Sequence, residues 1–394
     1  MKKRLICITL ILVILSVLAV ILAVSLVTER TLLDNGYLPL DEVMKAAGYS
    51  NCGTGRFETK VCGIDIEICF DFENNVCTKN LYSFNIDGKY IMSGSGYYID
   101  CDTVSNITNK NITINNGKFN VSDIDYSPHQ WTTEFEPIVA HSGGDVRGEY
   151  YTDYYSNSLE AIVQNYDLGF RVFELDFYLT SDNDLALVHD WTQYGNYDGT
   201  APSSEEWKKM KTHGFPQTEG VYYTSMLIGD LLDQMIVNQD MFVITDTKSF
   251  EISTEQTRIQ FEVLRDEALK RDRNLLKRII PQIYDEQMYD LIMDIYDFPD
   301  VIYTLYATGS TVDRVVEFVS DKDNIKVVTV NKDEARFQDD GLAEKLSKID
   351  RLVYIHSLLE FDEFAKYAKY GAYGYYAHHL TPVDYNMYKS CSGN

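Results

Sequence analysis

The chain has 394 residues, with 60 Asp and Glu against 35 Lys and Arg, 45% hydrophobic and 13% aromatic residues. A formal charge of -25 excludes a large basic footprint for nucleic acid, because neutralising phosphates takes clustered Lys and Arg. Thirty Tyr and 18 Phe exclude a largely disordered chain, and the length suffices for one large core or two ordinary ones.

Residues 1–30 read as a cytosolic tip and a transmembrane anchor. Leu5 to Val27 is a run without charge, Gly or Pro. At about 1.5 Å per residue it is long enough to cross roughly 30 Å of hydrocarbon as a helix. Lys2, Lys3 and Arg4 precede it, and the positive-inside rule then places the N-terminus in the cytosol. The competing reading is a cleaved signal peptide ending near Ala23-Val24-Ser25. Either segment exports the remainder of the chain, so the expectation is a single-pass membrane protein whose main body is extracytoplasmic and whose N-terminal helix partners the membrane.

Residues 31–135 read as a small β-rich module. Alternating segments at Val61 to Phe70 and Lys89 to Ile99 are separated by turns such as Asn115-Asn116-Gly117, and Asp34 to Gly48 reads as a short helix. Outside the apolar run stand Cys52, Cys62, Cys69, Cys77, Cys101 and Cys391. Their spacing does not fit paired C-x-x-C zinc ligands and favours disulfides, with the pairing open. The module carries no catalytic motif; it reads as a spacer, a ligand-binding domain or an elaboration packed on its neighbour, with the last two favoured equally.

Residues 136–385 change texture to short apolar runs alternating with helical stretches, before a tail at 386–394. Nine strand candidates appear: Ile138 to Ala140, Arg171 to Phe177, Leu185 to His189, Phe242 to Thr245, Arg278 to Tyr284, Val301 to Tyr306, Lys326 to Val330, Leu352 to Ile355 and Tyr373 to Tyr376. Asn157-x-x-Glu160 reads as a capping box opening a helix that Gly169 ends. Strand and helix alternation over about 250 residues predicts an α/β fold, a closed (β/α)8 barrel, with one candidate peripheral.

Polar residues stand at the ends of the early strands. The first ends in His141-Ser142-Gly143-Gly144, the second carries Glu174-Leu175-Asp176, the third ends in His189-Asp190 and the fourth in Asp246-Thr247-Lys248. Barrels gather their active sites at the C-terminal ends of the strands. Glu174 and Asp176, two apart, face the same side of a strand, and two like charges in so apolar a run call for a cation. With Asp246 they make an all-oxygen set suited to Mg2+ or Ca2+. His378 and His379 come after the last candidate; at most one points inward, and a loop role is expected. Tyr-rich stretches at Glu149 to Tyr155 and Tyr373 to Tyr376 either line the mouth, stacking on a sugar or lipid head group, or pack strands.

In these motifs the sequence resembles the glycerophosphodiester phosphodiesterase family, within the barrel superfamily of phosphatidylinositol-specific phospholipase C. The matching text is Ile138-Val139-Ala140-His141, Asn157-Ser158-Leu159-Glu160-Ala161, Gly169-Phe170, Phe173-Glu174-Leu175-Asp176, Thr180-x-Asp182, Leu187-Val188-His189-Asp190 and Thr245-Asp246-Thr247-Lys248, over about Pro137 to Pro382. The resemblance implies metal-dependent hydrolysis of a phosphodiester, either a glycerophosphodiester or one linked to lipid or glycan. It implies His141 and His189 as acid/base pair, Glu174, Asp176 and Asp246 as metal ligands and Lys248 on phosphate. Two histidines suit proton transfer near neutral pH. The family's His-Arg-Gly is His141-Ser142-Gly143 here, so Arg147 is the candidate to compensate for the missing guanidinium. Asp246 with Lys248 is similar to the sphingomyelinase D group, which keeps cleavage through a cyclic phosphate open. A barrel that binds a phospholigand or glycan with little catalysis is the other alternative.

Overall fold

The computed structural model describes residues 14–18, 30–94, 96–194, 200–248 and 251–392, without the side chains of 193 and 194. Two compact units divide the chain, the first taking Met1–Lys60 and Asp65–Ile124, the second Val61–Ile64 and Asp125–Asn394.

The first unit is β-rich and antiparallel. Ser50–Gly53, Arg56–Val61, Ile64–Asp71, Val76–Lys79 and Tyr82–Asn85 form one sheet in chain order, and Tyr37–Pro39, Gly96–Asp100 and Tyr90–Ser93 form another. Period-two patterning is plain in Ile64–Asp71, where Ile66, Ile68 and Phe70 are buried and Asp65 and Glu67 exposed. Asn116 and Gly117, both at positive φ, make the two-residue turn between Lys110–Asn115 and Lys118–Asp123. The expected helix is shorter than its sequence window, at Leu40–Ala46. The disulfide expectation is corrected: all six cysteines are free thiols. For Cys69 and Cys77 the register gives the reason. Cys69 faces Thr78 and Cys77 faces Phe70 across the ladder, so the two thiols lie on opposite faces of the sheet.

The second unit is an eight-stranded parallel barrel. Its strands are β1 (Ile138–Ala140), β2 (Val172–Leu179), β3 (Phe242–Asp246), β4 (Ile279–Ile283), β5 (Ile302–Thr304), β6 (Val327–Asn331), β7 (Leu352–Leu358) and β8 (Gly374–Ala377). Each pairs in parallel with the next, and β1 closes the ring by pairing with both β8 and β2. The ninth candidate is the peripheral one. Leu185–Leu187 runs antiparallel to β2, with Leu187 opposite Phe177, as the return arm of a hairpin.

Alternation along the strands builds the interior in layers. Val139, Val172, Phe242, Ile280, Ile302, Val327, Tyr354 and Tyr376 form one buried cluster, joined by Trp131 from the segment before β1. A step of two along each strand carries the inward face from that floor to the mouth: Val172 to Glu174 to Asp176 on β2, Phe242 to Ile244 to Asp246 on β3, Tyr354 to His356 on β7, Tyr376 to His378 on β8. The floor is apolar and the mouth polar because hydrophobic burial holds the strands together low in the ring and leaves the loop end free for chemistry.

The membrane expectation is corrected. Among the described residues no helix is long and apolar enough to cross a membrane. Of the Leu5 to Val27 run only 14–18 is described, as helix, and the rest lies outside the described residues.

Candidate active site

β2 supplies two of the acidic groups and β3 the third, with Asp176 directly opposite Asp246 in the ladder. Ligand oxygens of Glu174, Asp176 and Asp246 all lie within 4.8 Å of one another, and all three residues are buried. Lys248, two residues beyond β3, turns back at φ 51 so that Nζ stands 2.9 Å from Asp176 Oδ1 and 2.6 Å from Asp246 Oδ2. Three carboxylates and one ammonium leave a formal charge of -2 in a site closed to solvent.

That excess of negative charge sets the protonation of the site. Burial, and then the charges of Asp176 and Asp246, push the Glu174 carboxyl well above its ordinary range. Burial also raises Asp246, with Lys248 opposing it. At Asp176 burial is outweighed by Lys248, His189 and a hydrogen bond from Asn157, which together hold the carboxyl low. Lys248 would lose its proton to burial alone, but Asp176 and Asp246 keep it firmly charged. The donor set fits a hard divalent cation: three buried oxygen ligands whose excess charge a +2 ion balances.

A layer of donors orients these carboxylates. Asn157 exchanges two hydrogen bonds with Asp176, Nδ2 donating to Oδ2 at 2.9 Å and Oδ1 accepting from the Asp176 amide at 2.9 Å. Ser142 donates its amide to Glu174 Oε2 at 2.8 Å and its hydroxyl to Asp176 Oδ2 at 3.0 Å. Tyr284 and Tyr306 donate their phenols to Asp246. The turn after β1 that aims Ser142 requires its glycines. Gly144 has φ 86, and a Cβ there would lie 2.5 Å from the Asn165 side chain.

The capping-box reading of Asn157 is corrected. The helix Leu159–Asp167 is capped by Ser158, whose hydroxyl accepts from the Ala161 amide, and Glu160 instead accepts from the amide and hydroxyl of Thr224. Asn157 is thereby free for Asp176. Gly169, at φ 101, ends the helix as expected.

His141 and His189 both reach the mouth. His141 Nε2 lies 3.7 Å from Glu174 Oε2, and Nδ1 is 2.8 Å from the hydroxyl of Ser357 on β7. Burial, then the neighbouring His378, lowers the His141 imidazole well below its ordinary value. His189 does not extend a barrel strand as expected. It arrives on the antiparallel arm, tied to β2 by the Val188 amide donating to the Asp176 carbonyl, and Nδ1 rests 2.7 Å from Asp190 Oδ2. Arg147 lies off the triad: its Nη2 donates to buried Asp145 at 3.3 Å.

Sequence reasoning gave no role to two groups here, Ser357 and His356. His378 lies in the loop just past β8, as expected, and is the inward one of its pair, 2% exposed, with its ring 4.6 Å from that of His141. His379 turns outward at φ 63 and bonds Asp145. Counting two on from the apolar floor, Tyr354 to His356 and Tyr376 to His378, places both at the mouth. Of the Tyr stretches, Tyr154 and Tyr155 pack at the mouth against His378, whereas Tyr373 donates to the Thr132 carbonyl and serves packing.

No protein-family model and no curated protein matches the chain. Solved structures do. A glycerophosphodiester phosphodiesterase of Parabacteroides distasonis aligns with TM-score 0.52 at 14% identity, over 65% of this chain and 98% of that one. Two proteins described by the same activity, from Silicibacter pomeroyi and Galdieria sulphuraria, align with TM-score 0.50 at 13% and 14% identity, over 66% and 65% of this chain and 94% and 98% of theirs. At such identity the likeness speaks for the fold, and this chain carries the barrel fold of solved glycerophosphodiester phosphodiesterases.

Proposed function

We propose that the chain hydrolyses a phosphodiester, the activity by which the similar solved proteins are described, and that it does so with the help of a divalent cation. The observation that supports this reading best is the buried triad of Glu174, Asp176 and Asp246, with His141 3.7 Å from one of its members. Bound Mg2+ or Ca2+ would offset charge on the phosphoryl oxygens. Lys248, held charged beside the triad, adds to that stabilisation. His141 is held at Nδ1 by Ser357 and His189 at Nδ1 by Asp190, which leaves the Nε2 of each for proton transfer. One imidazole takes the proton of the attacking oxygen and the other protonates the departing alcohol. Arg147 contacts substrate only on leaving Asp145.

The substrate class is a glycerophosphodiester or a phosphodiester linked to lipid or glycan. The test is incubation of the protein with glycerophosphocholine, a lysophospholipid and a chromogenic phosphodiester, with Mg2+, with Ca2+ and with chelator. Metal-dependent release of the alcohol is expected. No turnover of any of the three with either ion would sink the reading, and a cyclic phosphate product would show that the attacking oxygen belongs to the substrate.

A further inference from the structure

Three successive strands of the closed ring, β7, β8 and β1, each deliver an imidazole to the mouth: His356, His378 and His141. Of these, His141 is engaged at Nδ1 by Ser357. The cationic and amide donors of the opposite side are engaged as well. Lys248 bonds two carboxylates and Asn157 Nδ2 a third oxygen. His356 Nε2 and His378 Nε2 are different, being buried without a hydrogen-bond partner among the described residues. His378 is braced from behind, its Nδ1 3.5 Å from Asp145 Oδ1, which leaves Nε2 on the other edge of the ring. Tyr154 and Tyr155 cover it at ring distances of 4.7 and 4.8 Å, and Tyr306 lies 5.4 Å from His356.

A buried polar nitrogen without a partner costs about 1–3 kcal/mol, and two such Nε2 atoms at one polar mouth suit a ligand that bonds both. We propose that His356 and His378 are the anion subsite of this mouth, their Nε2–H groups donating to the non-bridging oxygens of the phosphoryl group. The subsite rests on the phosphodiester reading of the same mouth and assigns the residues that would grip its substrate. Burial lowers both imidazoles, His356 to about 4 with Lys248 adding to the effect, while Asp145 beside Nδ1 opposes the shift at His378 and lets it hold a proton on each nitrogen once an anion arrives at Nε2. The grip is therefore one hydrogen bond from a neutral imidazole and one from an imidazolium backed by Asp145, which suits a diester carrying a single negative charge. Tyr154 and Tyr155 must shift for the phosphoryl group to reach His378.

The test uses inorganic phosphate as probe and the full chain loaded with Mg2+. In calorimetry, His356→Phe and His378→Phe, which fill the space without an N–H, each weaken phosphate about tenfold and together about a hundredfold. His356→Gln and His378→Gln, which keep an N–H, stay within about threefold of wild type, and Mg2+ affinity is unchanged in every variant. Independently of any variant stability, phosphate titrated into wild type with 15N-labelled histidine moves the Nε2 signals of His356 and His378, which are identified by their absence in the Gln variants. Unchanged phosphate affinity in the double Phe variant, Gln variants as weak as Phe, no phosphate binding by wild type, or Nε2 signals that do not move would each overturn the subsite. Phosphate held by these histidines without turnover of any diester would break the proposed activity and leave the subsite standing. Diester turnover with wild-type KM in the double Phe variant would do the reverse.

Discussion

On β2 and β3 the barrel mouth carries three carboxylates with more negative charge than one lysine can balance, and the donors around them are spent on holding them still. On β7, β8 and β1 it carries three imidazoles, two of which have an Nε2 without a hydrogen-bond partner among the described residues. Both sides grow from the same period-two step off one apolar floor, so the difference lies in what each strand places at its last inward position. One side gathers oxygen ligands that attract a cation and the other ring nitrogens that attract the oxygens of an anion. A phosphodiester bound to a cation supplies both at once, the ion to the acidic side and the anionic oxygens to the imidazole side.

The largest expected effect breaks the acidic side alone. Asp176→Ala removes a ligand that also anchors Lys248, Asn157 and Ser142. Calorimetry should show Mg2+ or Ca2+ binding lost and turnover down at least about a thousandfold. His189→Ala should cut turnover by about 10^2 to 10^4 while the metal isotherm stays as in wild type; wild-type rates would remove His189 from the acid/base pair. Asn157→Ala sharpens the comparison, because it leaves every proposed ligand in place and frees only their support. A metal affinity about 10 to 100 times weaker is expected, and an unchanged isotherm would reduce Asn157 to a packing residue. Glu174→Gln tests the charge imbalance through stability: in chelator it should melt a few degrees above wild type by relieving repulsion, and with saturating metal below it. Ser357→Ala, the smallest, should lower kcat about fivefold at constant KM by loosening His141, with Ser357→Thr restoring it.

All eight barrel strands were legible in the sequence because buried parallel strands are short apolar runs between helical stretches, and that signal is local. Glu174, Asp176, Asp246 and Lys248 were legible for the same reason, as charges at the ends of such runs. The antiparallel course of Leu185–Leu187 was not, since an apolar run does not state its direction. Asn157 was misassigned because the capping hydroxyl belongs to its neighbour Ser158, and the pattern of a cap tolerates a shift of one. Ser357 could not be found at all: its meaning is a contact with His141 made across the ring. The free thiols of the first unit teach a similar lesson, since cysteine spacing says nothing of which face of a sheet each one occupies.

Closure of the ring between β8 and β1 also sets the order in which the site can be assembled. Glu174, Asp176 and His189 sit on one hairpin and come together through contacts local in the chain, whereas Ser357 meets His141 across 216 positions of sequence. Joining such distant segments carries the larger loop-closure entropy and belongs to the slow part of folding. A barrel short of its last strand would thus display carboxylates with only part of its imidazoles, and hydrolytic competence would appear together with completion of the ring.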